Sequence, residues 1–161
     1  ARHPDDDDQA DKYEIVDELL SGSGRANYEV SNWAKPGHES RHNFLYWRQE
    51  NYRCFGCAAH SHQDGRRWWN VRTPDRYIDL VNDGQPVEAA SETLDAGERR
   101  AEAQPLILRT RDGIEASAFD AETLELLDGM IEAHPTEPTR VVLTRSGRLM
   151  ANEISTRLRE D

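Results

Sequence analysis

The stretch His42-Asn43-Phe44-Leu45-Tyr46-Trp47 sets an imidazole, a phenol and an indole within six positions. A neutral imidazole binds a metal through one ring nitrogen while the other makes a hydrogen bond. Tyr46 follows His42 by four residues, so one helical turn would place the two side chains together. The plainer alternative is that His42 and Asn43 are polar staples of a loop, with Tyr46 and Trp47 in the core. From residue type alone that alternative is favoured, because a lone histidine is usually structural.

Further on, Cys54, Cys57, His60 and His62 stand at CxxCxxHxH spacing, a set of donors zinc could use. A strand through them would turn Cys54 and Cys57 to opposite faces. Structural zinc sites also draw on two separated ligand pairs, so the spacing points away from a metal. A thioredoxin-like redox role lacks its βαβ pattern. Arg66-Arg67-Trp68-Trp69 could stack on a base or another flat ring, or cover the face of a sheet.

All four Trp, both Cys and four of the six His fall between residues 25 and 84. Residues 25–76 hold nine Lys/Arg against five Asp/Glu, a local net of +4 in a chain of net charge −11. A basic, aromatic island in an acidic chain suits a flat anionic ligand. The overall acidity opposes general binding to nucleic acid or to an anionic membrane surface.

The elements that must position these residues read as three zones. An acidic lead-in precedes a short helix with Tyr13, Val16, Leu19 and Leu20 on one face, stopped by Gly22 and Gly24. This zone reads as the tail of an earlier fold unit, and the sequence opens on Ala1 rather than Met. Its first residues, Ala1 to Asp8, have no apolar run and do not make a secretory signal.

In the second zone, Asn27 to Trp33 and Tyr52 to Cys57 suit strands. Thr73-Pro74 starts a helix running to about Asn82, before Gly84. The third zone reads as mostly helix with one strand. A helical pattern from about Ser91 meets Pro105, which must kink or end it. Asp120 caps a helix carrying Leu124, Leu127, Met130 and Ile131, ended at His134-Pro135. Val141 to Leu143 form the strand, and Leu149, Met150, Ile154 and Leu158 stripe a closing helix.

At 161 residues, with 36% hydrophobic content, the chain fits one domain or one domain plus a piece of another. No apolar run approaches the ~20 residues of a membrane helix. Two cysteines give no disulfide framework, so a reducing cytoplasm is the expected location.

Several strings, in order and spacing, resemble the HemW-type heme chaperones. This family is related to the oxygen-independent coproporphyrinogen III oxidases and belongs with the radical S-adenosylmethionine (SAM) proteins. The strings are Tyr28 to Gly37, the HNxxYW pattern from His42 to Trp47, and Phe55-Gly56-Cys57-Ala58-Ala59-His60-Ser61. Trp69-Asn70-Val71 with Pro74 and Tyr77 follows, then Val142 to Asn152. Ala58 stands where the family usually has Gly, which puts a positive φ there in doubt.

The resemblance implies an α/β fold: the end of a radical-SAM partial TIM-type barrel over residues 1–84, then a mainly helical C-terminal domain over 85–161. It implies that heme or a porphyrin is the ligand, with His42 as candidate axial ligand and Tyr46 and Trp47 beside it. Cys57, Ala59 and His60 would lie near the SAM pocket. Full-length members carry a [4Fe–4S] cluster on three cysteines, and this chain has only two cysteines. Alone it is therefore expected to be inactive in radical chemistry. An apo-hemoprotein client is the implied partner, and an open barrel edge would invite association, such as a dimer. The alternatives are the oxidase, which decarboxylates two propionates of its porphyrinogen, and a structural C-terminal domain without a ligand. HNxxYW favours the chaperone.

Overall fold

The computed structural model describes residues 5–159; the first half of the acidic lead-in, residues 1–4, lies outside the described residues. Helix α1 spans Asp6–Gly22. Asp5 caps it by accepting the Asp8 N–H, and three further aspartates occupy its first turn, at the positive end of the helix dipole. Gly24, with φ of 76°, turns the chain out of the helix as the sequence predicts. The strand expected over 27–33 is a hairpin of β1 (Ala26–Glu29) and β2 (Asn32–Ala34), in which Asn27 faces Trp33.

Helix α2 spans Arg41–Trp47. Strands β3 (His60–Gln63) and β4 (Arg66–Asn70) are joined by Asp64 and Gly65, both at positive φ. That is the two-residue turn whose twist matches an antiparallel pair. Helix α3 runs Pro74–Asn82, with Thr73 as its N-cap residue, at the expected bounds. Where the sequence predicts a helix from Ser91, strand β5 (Glu88–Thr93) pairs with β4 instead. Local helical propensity yields here to the unpaired edge of β4.

Helix α4, Ala96–Leu108, starts only at Asp95, whose carboxylate accepts the Gly97 and Glu98 N–H groups while Glu98 reaches back to the Asp95 N–H. Pro105 lies inside this helix rather than ending it. Next come β6 (Ile114–Glu115), a 3-10 turn over Ala116–Ala118, and α5 (Ala121–Leu126), capped by Asp120 as expected. This helix is shorter than its apolar pattern predicts. Gly129, at φ 77°, breaks it and delivers Ile131 into β7 (Ile131–Ala133). β8 is Arg140–Leu143. The closing helix is two short ones, α6 (Arg145–Leu149) and α7 (Ala151–Ser155), meeting at Met150.

The fold is mixed α/β with small sheets. The third zone carries four strands, not the one that its sequence suggests. Every pairing between these named strands is antiparallel, whereas a TIM-type barrel pairs its strands in parallel.

The chain forms two compact units. One comprises the residues up to Arg41 and from Gln104 onward. Its core gathers Leu108, Ile114, Phe119, Leu127, Leu143, Ala151 and Ile154. In the same unit the buried carboxylate of Asp17 is paired with Arg145 at 2.7 Å and Arg148 at 3.3 Å, and accepts the Trp33 indole N–H at 2.6 Å. Three partners compensate a charge that would be costly to bury alone. The other unit, His42–Ala103, is built on the sheet β3-β4-β5. Among the described residues no helix is long and apolar enough to cross a membrane.

Gly147 is the tightest point of the first unit: a Cβ there would meet the Met130 carbonyl, which accepts the Thr144 N–H. Gly147→Ala is expected to destabilise by about 2 kcal/mol or more through overpacking. Leu108→Ala, which empties a fully buried position, should cost about 3 kcal/mol. Urea unfolding measures both, and a loss below about 0.5 kcal/mol in either would contradict this packing.

Candidate functional site

The HNxxYW stretch lies on α2, and its helical spacing does bring His42 and Tyr46 together. The Tyr46 hydroxyl and His42 Nε2 are 2.8 Å apart, with the rings edge to face at 5.0 Å. Both side chains are exposed, Tyr46 by 37%, so Tyr46 is not the core residue of the plainer reading. Phe44 is the buried residue of this helix, and Trp47 is half-buried.

The Tyr46 hydroxyl also lies 3.4 Å from Cys54 Sγ. Cys54 is fixed by its own N–H, which donates to Ser61 Oγ at 3.0 Å. The neighbouring thiol, followed by burial, pushes the Tyr46 phenol up to about 12. At neutral pH the hydroxyl is therefore protonated and can donate as well as accept.

Two residues that the sequence reading did not join to His42 and Tyr46 extend this site. Tyr52 packs on Tyr46 at 4.4 Å and faces His62 at 6.0 Å. His62 is buried, with Nδ1 at 3.1 Å from the Glu50 carbonyl. A row of rings thus runs from exposed His42 through Tyr46 and Tyr52 to buried His62. Backbone hydrogen bonds in both directions between Tyr52 and His62 hold it to the sheet. The sequence signal was Asp64-Gly65, the dipeptide of a tight hairpin, which would have made His60–Asn70 two paired strands.

Of the residues predicted to sit beside a cofactor, Cys57, the end of the strand expected over 52–57, lies with Ala59 in a held loop instead, and His60 begins β3. Gly56 has φ of 104°, open only to glycine, and Ala58 adopts φ of 58° despite its Cβ. Four bonds keep it there. Asn70 Nδ2 donates to the Gly56 carbonyl, Gly56 N–H to the Tyr77 hydroxyl, Ala58 N–H to Val71 and Asn70 N–H to Ala59. Cys57 and Ala59 are half-buried. His60 is exposed and stacks on Trp69 at 5.7 Å.

The four residues of the Arg-Arg-Trp-Trp string part company. Trp68 is buried, with Arg53 and Arg66 over its ring. Arg66 pairs with Glu88, and Arg67 with both Glu92 and Glu102. These two cations already have acids. Among the described residues, no group of three or more His, Cys, Asp or Glu side chains is placed to hold a metal ion.

No protein-family model matches the chain. Over 156 residues it is 38% identical to the heme chaperone HemW of Mycobacterium tuberculosis, covering 94% of this chain and 39% of that protein. It is 34% identical over 163 residues to the heme chaperone HemW of Bacillus subtilis, covering 94% and 42%. The chain thus spans about two fifths of the length of these relatives. Among solved structures it resembles the coproporphyrinogen III oxidase HemN of Escherichia coli, a radical SAM enzyme. The TM-score is 0.66 at 17% identity, over 95% of this chain and 41% of that one, a likeness of fold. Homology along nearly its whole length places the chain: it is homologous to the C-terminal part of the HemW heme chaperones.

Proposed function

We propose that this chain is the heme-contacting part of a heme chaperone and that His42 is the residue that holds the cargo. The observation that carries the reading is the Tyr46 hydroxyl at 2.8 Å from His42 Nε2, on an exposed helix face of a chain homologous to the HemW proteins. A metal-binding imidazole works best when its other nitrogen is hydrogen-bonded, which fixes the tautomer and raises the basicity of the ligating nitrogen. With Nε2–H donating to the Tyr46 hydroxyl oxygen, Nδ1 presents the lone pair. Trp47, half-buried beside this pair in sequence, would contribute apolar cover for one edge of the macrocycle.

The loop with Cys57 and Ala59, leading to His60, would border the SAM pocket of a longer polypeptide. The ordered backbone at Gly56 and Ala58 supports close approach of a ligand there. The cluster of the longer relatives would need ligands outside this chain, because two cysteines cannot supply three thiolates. An apo-hemoprotein is the proposed recipient of the cargo.

Heme titration followed by absorbance tests the central claim. His42→Ala should shift the Soret band and weaken binding, while His38→Ala leaves both unchanged. Tyr46→Phe keeps the ring and removes the hydroxyl, so the band should stay near its parent position with affinity down about tenfold. Parent-like spectrum and affinity in His42→Ala would assign the cargo to another residue. Equal losses in both His variants would instead indicate unfolding of the loop.

A separate expectation follows from the cysteine count. Anaerobic reconstitution of the 161-residue chain with iron and sulfide should yield no stoichiometric cluster and no 5′-deoxyadenosine from SAM. A full cluster with turnover would remove the basis for treating the chain as cargo-binding only.

A further inference from the structure

The first unit contains a cavity of about 200 Å³ that the heme reading does not use. Three arginines line it, Arg109, Arg111 and Arg148, against the acid Glu132, with Leu108, Val142 and Leu143 among its apolar lining. Three guanidinium groups around one cavity repel one another unless each has a counter-charge. Two of them do. Arg111 pairs with Glu39 at 2.7 Å, and Arg148 with Asp17 at 3.3 Å.

Arg109 is different: among the described residues it makes no ion pair. Its Nη1 donates to the Pro105 carbonyl, and its Nη2 donates to Asn152 Oδ1 at 2.8 Å. A guanidinium has five N–H donors in a planar fork, so three are left beyond these two bonds. The Pro105 carbonyl belongs to the last turn of α4, and a helix end offers only about half an elementary charge, diffuse and falling off within one turn. It offsets part of a full cation. Burial without a charged partner pushes the Arg109 guanidinium down from its ordinary value. The group is half-buried, still has donors to give, and lines a cavity.

We propose that this cavity is a binding site for a small oxyanion, a carboxylate or phosphate group with at most a short apolar tail, anchored by Arg109. Arg109 supplies the fork, which matches either planar carboxylate or tetrahedral phosphate geometry. Arg111 and Arg148 supply long-range attraction while staying with their own acids. The apolar lining takes the first carbons of the ligand. The volume lies below the roughly 300 Å³ at which drug-sized ligand pockets begin, which sets the upper size. The inference is independent of the heme reading, since none of its residues lies on α2 or in the sheet β3-β4-β5.

The test is an NMR titration of the ¹⁵N-labelled 161-residue chain with inorganic phosphate and, separately, with succinate, ionic strength being held constant with sodium chloride. Saturable shifts of the Arg109 Nε–H and of the Thr110 and Val142 amides are expected. The anion with the tighter midpoint identifies the head group, phosphoryl or carboxylate. Arg109→Gln should weaken that midpoint about tenfold or more, with partial recovery in Arg109→Lys, and His42→Ala should respond like the parent. Shifts that never saturate, or that sodium chloride alone reproduces, overturn the proposal, as does parent-like affinity in Arg109→Gln. If Arg109→Gln fails to fold, the Arg109 Nε–H signal of the parent decides, and its failure to shift saturably is the overturning result.

Discussion

The register between β3 and β4 decides where the rings of His60, His62, Trp68 and Trp69 stand, and through them Tyr52. Directly opposed residues share a face, so His60 with Trp69 and His62 with Arg67 lie on one side, Ser61 with Trp68 on the other. Ser61 and His62 then receive the chain that precedes them: Ser61 Oγ takes the Cys54 N–H, and His62 exchanges backbone bonds with Tyr52. A slip of one residue would exchange the faces taken by Ser61 and by the two histidines, and remove the seat of Tyr52. The Asp64-Gly65 turn forbids the slip, because its two positive φ values fit a two-residue connection and no other length.

From that register the influence passes outward by contact. Tyr52 and Cys54 both reach Tyr46, and Tyr46 orients His42. The same strand pair governs the loop before it, since Asn70 and Val71 at the end of β4 hold Gly56, Ala58 and Ala59. A left-handed alanine costs of order 1 kcal/mol and persists only where its surroundings over-determine it. Here the Val71 carbonyl, the Asn70 amide and the Tyr77 hydroxyl do so. The two halves of the candidate site are thus ordered by one hairpin.

The legible part of the fold was the part written in local chemistry. Asp120, Thr73-Pro74, Gly24 and the apolar run at 141–143 each specify an end or a strand through their own side chains. The His42–Tyr46 pair was legible for the same reason, four residues being one helical turn. What escaped was set by partners distant in sequence. Ser91 sits in a strand because β4 offers an edge at Trp68, 23 residues earlier. Ile131 leaves its helix because β8 offers another, with Gly129 permitting the exit. Tyr52 and His62 joined the site only once the hairpin was formed, and the dipeptide that announces it was present in the sequence. Ala58 shows the opposite case, in which residue type argued against a conformation that four hydrogen bonds impose.

The contrast between the two buried or exposed polar centres bears on how such a chain could carry something and release it. Asp17, held by two arginines and an indole, is the arrangement of a permanent structural charge, expensive to open because each partner would be stranded. His42 is the reverse, an exposed imidazole with one hydrogen bond and no wall around it. A resident prosthetic group is normally enclosed, since enclosure slows its loss. Affinity differences reside mostly in the dissociation rate, so a carrier that must hand over its cargo gains from leaving the ligand accessible to a recipient. Under the proposed reading, the sheet supplies rigidity to the atoms behind the ligand, Tyr46 and Tyr52, while the ligand itself stays at the surface. That division of labour, an ordered support beneath an open contact, is what a transfer protein requires and what a tightly enclosing heme pocket would prevent.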